Sequence, residues 1–215
     1  MERKNENKIP PVWLLLFWPA YLMRYFLIES LNPVQTYYRV WVPLDDRIPF
    51  CEWFLIPYVL WYGAIVGLHL YMLAYDVENF RRYTCYLLVT ALLGTAIFLL
   101  FPTCQDLRPE MFPRENLLTK AVALLYRVDT NTNVLPSEHV TGAIGLVLGA
   151  WHTKKLRRPR IMVTIGLFSL LVSLSTLFLK QHSVLDLLAA LPVAAVAYYA
   201  AWGRGGWKYG KTRRV

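Results

Sequence analysis

His182 and Asp186 stand four residues apart in STLFLKQHSVLDLLAAL, a spacing that on a helix puts imidazole and carboxylate on one face. The carboxylate then accepts a hydrogen bond from one ring nitrogen, fixing the tautomer and leaving the other nitrogen free to attack an electrophile. The same spacing also serves a pair that satisfies itself between helices, or half of a metal site. A second histidine, His139, opens an apolar run in NVLPSEHVTGAIGLVLGAW. Pro136 suits the first turn of a helix, Ser137 can cap it, and the free N–H groups there attract an anion. In that first turn His139 is placed to protonate a leaving oxygen; if the turn is only capped, Ser137 suffices and the histidine is incidental. Arg108, in FPTCQDLRP, can give a phosphate two parallel hydrogen bonds, or is simply a solvated loop arginine. Lys180 lies two residues before His182.

These residues need elements to carry them, and the composition says which kind. Of 215 residues, 56% are hydrophobic and 15% aromatic, with a mean hydropathy of +0.35, too apolar for a soluble domain of this length. Apolar runs fit for a hydrocarbon core about 30 Å thick fall near Val12 to Leu31, Trp53 to Tyr75, Thr84 to Phe101, His139 to Trp151, Ile161 to Leu179 and Ser183 to Trp202, the fourth being short. The expected fold is all-α: a polytopic bundle of six transmembrane helices forming one membrane-embedded domain over residues 1–215. The first run lacks the features of a cleaved signal peptide and reads as a retained span, although it contains Pro19 and Arg24. Turns are expected at NPVQ, FPT and RGG, and the segment KAVALLYRV as a short amphipathic helix at the interface.

A net charge of +9 raises the question of nucleic acid, and the placement of the charges answers it. On these spans, 15 of the 23 Lys and Arg fall on the side of the two termini and 7 on the other, with Arg24 inside the first span. The positive-inside rule puts both termini in the cytoplasm, and the basic excess reads as topology and attraction to anionic lipid rather than nucleic-acid binding. Arg108, His139, Lys180 and His182 then all come to the non-cytoplasmic ends of their spans. Two imidazoles among cationic side chains at a membrane surface suit a phosphate. The cysteines Cys51, Cys85 and Cys104 have no metal-ligand spacing; Cys51 and Cys104 can pair across the outer face, but nothing requires it.

In this order, RP, PSEHV and STLFLKQHSVLD resemble the three motifs of the type-2 phosphatidic acid phosphatase superfamily, K-x6-R-P, P-S-x-H and S-R-x5-H-x3-D, over residues 101–192. The resemblance implies that Arg108 binds phosphate, Ser137 contributes to the phosphate pocket, His139 is the general acid, His182 is the nucleophile that becomes a phosphohistidine, and Asp186 orients it. It implies no metal and no cofactor. The chain departs from the motifs at Phe101 for the family lysine, Thr176 for the family arginine, and Glu138 for a small or apolar residue. Lys180, or less readily Lys120, can restore part of the lost positive charge. The form STLFLKQH is also similar to the inositol-phosphorylceramide synthase-like branch.

The expected activity is hydrolysis of a membrane lipid phosphate, a phosphatidate or polyprenyl diphosphate, at the non-cytoplasmic face of a cell membrane. An alternative passes the phosphoryl group to an alcohol instead of water. A third reading is a non-enzymatic haem- or lipid-binding protein using the four histidines His69, His139, His152 and His182; it leaves Arg108, Ser137 and Asp186 without a role.

Overall fold

The structure, a computed structural model, describes residues 11–30 and 36–203. The basic tails carrying Arg3, Lys4 and Lys8 and the five Lys and Arg after Gly203, and the turns expected at 32–35 and 204–206, lie outside the described residues.

The chain is helical, as the apolar runs require. A 3-10 turn at Val12–Leu16 leads into α1 (Phe17–Ser30). Pro19 falls in the first turn of α1, where its missing N–H has no intrahelical role. A two-residue strand, β1 (Tyr38–Arg39), and a short helix, α2 (Pro43–Arg47), precede α3 (Leu55–Tyr75) and α4 (Val77–Leu100). After β2 (Thr103–Cys104), α5 (Leu117–Val128) covers the expected amphipathic segment. The last three helices are α6 (Glu138–His152), α7 (Pro159–Phe178) and α8 (Val184–Trp202). Strands β1 and β2 pair in parallel, Tyr38 opposite Thr103, and tie the two outer loops together. Cys51, Cys85 and Cys104 are free thiols.

Among the described residues, four helical segments are long and apolar enough to cross a bilayer: Glu52–Tyr75, Val77–Leu100, Pro159–Phe178 and Val184–Trp202. Val12–Ile28 is a shorter apolar helix, and α6 has only 15 residues, about 22 Å at 1.5 Å per residue. The length of α6 is explained by where it sits. It packs against α3, α4, α7 and α8, so protein rather than lipid surrounds it and it has no hydrocarbon thickness to match on its own. Close packing without a hydrophobic driving force depends on small residues, and α6 supplies three glycines. A Cβ on Gly142 would lie 2.5 Å from the Trp61 ring, on Gly145 2.6 Å from Tyr86, and on Gly149 2.9 Å from Met72.

Two ends of the bundle are distinct. At one end the α3–α4 turn meets the α6–α7 turn and the end of α8: Asn79 donates to the His152 carbonyl at 2.7 Å and accepts from the Trp202 indole at 3.3 Å. Arg81, Arg82 and the basic residues of HTKKLRRPR gather there. At the opposite end lie the start of α6, the α7–α8 turn, α5 and α2.

The α7–α8 turn is built with care because it carries His182. The Gln181 N–H bonds the Thr176 carbonyl at 2.9 Å and the Lys180 N–H bonds the Leu177 carbonyl at 3.0 Å, the paired closure of a Schellman helix end. That closure needs a left-handed residue, and Lys180 takes it with φ of 54°. The start of α8 is then held from a distance by Asp45 of α2, which is 1% exposed. Its carboxylate accepts from Ser183 Oγ at 2.6 Å, Val184 N at 2.9 Å and Val42 N at 2.9 Å. A carboxylate at a helix N-terminus satisfies orphan N–H groups and opposes the helix dipole.

Two stability measurements follow. Gly142→Ala should displace Trp61 and cost about 1–3 kcal/mol, seen as a lower thermal midpoint in detergent. Asp45→Ala leaves a buried hydroxyl and two amides without an acceptor and should cost about 2 kcal/mol, whereas Asp46→Ala, one residue on and outside this network, should leave the midpoint nearly unchanged.

Candidate active site

Helix α6 starts at Glu138, with Ser137 as its cap: Ser137 Oγ accepts from the Val140 N–H at 3.4 Å. Pro136 therefore precedes the cap rather than occupying the first turn, because Ser137 keeps an extended backbone and takes the capping place itself. The Ser137 N–H donates to the backbone carbonyl of Asp186 at 3.2 Å. That one bond joins the start of α6 to the first turn of α8, and so brings the two histidine-bearing segments together.

His182 Nδ1 lies 3.1 Å from Asp186 Oδ2, and the same oxygen accepts from the Ser183 N–H at 2.9 Å. Asp186 is fully buried. An ionised carboxylate in that place accepts from Nδ1–H, so the lone pair of His182 is on Nε2. His139 sits across from it, with ring centroids 6.4 Å apart. Its imidazole is shelved by three aromatics of α3: Tyr58 stacked at 4.0 Å, Trp61 at 4.2 Å and Tyr62 edge-on at 5.5 Å. Tyr58, Trp61 and Tyr62 are spaced i, i+3, i+4 and so share one helix face. Gly142, one turn below His139, makes the room for Trp61. His139 is 6% exposed, and its Nε2 has no hydrogen-bond partner among the described residues.

Both histidines line a cavity of about 270 Å³, together with residues of α1, α4 and α5. Leu22 and Phe26 of α1 and Val128 of α5 line it while more than half exposed on the outside, which gives the cavity an apolar rim. Its wall also carries Arg24 and Glu138. Arg24 Nη2 contacts both Glu138 oxygens at 2.7 Å, Nη1 donates to the Ala91 carbonyl at 2.9 Å and to Thr95 Oγ1 at 3.0 Å, and the Tyr21 hydroxyl donates to Glu138 at 2.6 Å. An arginine inside an apolar span and an acid where the family motif has a small residue thus neutralise each other.

The other expected residues stand outside the cavity wall. Arg108 donates to the backbone carbonyls of Tyr126 at 3.0 Å and Asp129 at 2.5 Å and to Gln181 Oε1 at 2.6 Å, with its guanidinium over the Tyr126 ring. Burial pulls its pKa below the ordinary arginine value, against the opposing charge of Asp129. It reaches the cavity through Gln181, which lines it. Lys180 turns away altogether: its Nζ donates to the Asp45 carbonyl at 2.7 Å, because the left-handed backbone of the Schellman turn directs it toward α2. Burial lowers its pKa, with Asp45 and Asp46 opposing. Lys120 is exposed on α5. Thr176 stands fully buried at the departed arginine position, its hydroxyl returned to the Ser173 carbonyl at 2.8 Å and its own carbonyl holding the turn.

Two further residues belong to the site and escape sequence reasoning. Asp129 lines the cavity, its carboxylate accepting from the hydroxyls of Tyr58 and Tyr25. Asp45 fixes the start of α8. The remaining histidines are elsewhere. His69 has both nitrogens engaged, accepting from Trp18 at 3.0 Å and donating to Thr84 Oγ1 at 2.8 Å, since Thr84 itself donates to the Phe80 carbonyl. His152 stacks on Trp202 at the basic end. Neither belongs to the level of His139 and His182.

No curated protein and no solved structure matches the chain. The sequence does match the PAP2 superfamily over residues 82–208, more than half of its length. That stretch holds Arg108, Ser137, His139, His182 and Asp186, the residues whose order first suggested the resemblance; Arg24 and the aromatic shelf of α3 lie ahead of it. With two histidines from separate segments of that stretch facing one cavity in a helical membrane frame, the chain belongs to the PAP2 superfamily.

Proposed function

We propose that this protein is a membrane lipid phosphatase that works through a phosphohistidine on His182. The observation that carries the reading is the pair of imidazoles, 6.4 Å apart on one cavity, with Asp186 behind only one of them. With the ring centres that close and both rings lining the cavity, one phosphoryl group can meet both imidazoles. His182 Nε2 attacks phosphorus, and Asp186 stabilises the cation that forms on the ring. His139 gives its proton to the departing oxygen, and the arriving phosphate supplies the negative charge that holds its imidazolium. Water then attacks the phosphohistidine, with His139 now neutral and able to accept a proton. The N–H groups of Glu138 and His139 at the start of α6, the Ser137 hydroxyl, and the charge of Arg108 relayed through Gln181 stabilise the phosphoryl oxygens. The chain supplies all of these groups itself, without a metal or cofactor.

In this reading six helices cross the bilayer, with α6 enclosed by the others and the Val12–Ile28 segment completing the count. Both termini lie in the cytoplasm on the side of Arg81, Arg82 and the HTKKLRRPR loop, and the site opens on the non-cytoplasmic face of the cell membrane. The apolar rim of the cavity suits a substrate whose chains stay in the bilayer, a phosphatidate or a polyprenyl diphosphate.

With the purified protein in detergent micelles, His182→Ala should reduce phosphate release from phosphatidate and farnesyl diphosphate by at least about a thousandfold. His139→Ala should do the same, and Asp186→Asn should lose about a hundredfold or more. Acid-quenched reactions with radiolabelled phosphatidate should trap label on the wild-type chain and none on His182→Ala. Full activity in His182→Ala would overturn the assignment. Wild-type activity should be unchanged by a chelator.

A further inference from the structure

The cavity wall carries few charged side chains of its own. Arg24 is the one Lys or Arg among the lining residues, and its charge is taken by Glu138 in the same wall. Arg108 stands behind Gln181, and Lys180 faces Asp45. Asp129 remains, a lining carboxylate whose hydrogen bonds come from the neutral hydroxyls of Tyr58 and Tyr25; Arg108, behind the wall, acts on it through charge alone and hydrogen-bonds its backbone carbonyl, not its side chain. Among the lining residues two carboxylates, Glu138 and Asp129, thus stand against one cation, Arg24. Around it the cavity is lined by aromatic rings, Tyr21, Tyr25, Trp61 and Tyr62 among them.

A carboxylate in an aromatic surround is complementary to an alkylammonium group, which gains both the ion contact and the face of a ring. The same cavity holds the unpartnered Nε2 of His139, itself nearly buried, and the free nitrogen of His182. Resting on the phosphohistidine reading above, we propose that the cavity takes a lipid phosphodiester whose head group ends in an alkylammonium, the phosphate between the imidazoles and the cation against Asp129. Such a zwitterion brings one negative charge to the histidines and one positive charge to the wall. A phosphate monoester brings up to two negative charges and no cation.

The reaction on this substrate balances with the groups present. His182 Nε2 forms a P–N bond as the P–O bond to the diacylglycerol oxygen breaks, and that oxygen leaves as the alcohol with the proton of His139. The head-group phosphate stays on His182. Water then forms a P–O bond, passes a proton to His139 and displaces the imidazole, so that the products are diacylglycerol and a phosphorylated amino alcohol.

The test presents the full-length protein in micelles with four donors of identical acyl chains: phosphatidate, phosphatidylcholine, phosphatidylethanolamine and phosphatidylglycerol. The expected result is cleavage of the two ammonium lipids at least about tenfold faster than phosphatidylglycerol, a diester of the same phosphate charge with no cation. Diacylglycerol and phosphocholine should appear together in equal amounts, and His182→Ala should make neither. Asp129→Asn should narrow the ratio of phosphatidylcholine to phosphatidylglycerol turnover toward one, and inhibition of the wild type by a short-chain alkyltrimethylammonium salt should weaken in the same variant. Hydrolysis of phosphatidate alone, or equal cleavage of all three diesters, overturns the ammonium site and leaves the phosphatase reading standing. No cleavage of any of the four, nor of farnesyl diphosphate assayed beside them, overturns both.

Discussion

A single backbone hydrogen bond, from the Ser137 N–H to the Asp186 carbonyl, decides whether this protein has a site at all. His139 and His182 belong to segments separated by a helix, a basic turn and another helix. Their rings face one cavity only because the first residues of α6 and α8 are pinned together. The bond's net contribution is small, about 1 kcal/mol after exchange with water, so it holds only because both partners are fixed from behind. Asp45 fixes the start of α8, the Schellman turn fixes the end of α7, and the α6 glycines let α3 press its aromatic shelf against His139. The site's geometry is thus spread over loops and helices that carry none of its chemistry.

The Arg24–Glu138 pair shows how two residues that each look misplaced can make sense together. A lone arginine in an apolar span is costly, and a lone acid at the mouth of a phosphate site repels its ligand. Paired at 2.7 Å, backed by Tyr21, Thr95 and the Ala91 carbonyl, they become a neutral polar wall. The pair also docks α1 onto the bundle, with Trp18 and His69 making a second anchor deeper down. Removing one partner leaves the other as a buried, uncompensated charge, which is the expensive state.

The sequence made the helical frame legible, because apolar runs of span length have few other uses. It also made the His182–Asp186 pair legible, because four residues is a local distance, although His182 stands in the turn ahead of α8 rather than on the helix. The serine cap of α6 was readable for the same reason. What it hid were partners far apart in the chain: Asp45 with Ser183 and Val184, Arg24 with Glu138, and the α3 aromatics with His139. No periodicity links residues 114 or 138 positions apart. Lys180 was misleading in another way. Two residues from His182 in sequence looked close, but a left-handed residue in a Schellman turn sends its side chain off at its own angle, and here that leads to α2. Nor did any local signal mark Asp129, whose importance comes only from the cavity it faces.

The family match begins at residue 82, yet α1 and the aromatic face of α3 lie before it and furnish much of the cavity wall. The two imidazoles and the aromatic shelf that seats one of them therefore come from different stretches of one polypeptide. A substitution in the leading helices can reshape the cavity while every residue of the matched stretch stays as it is.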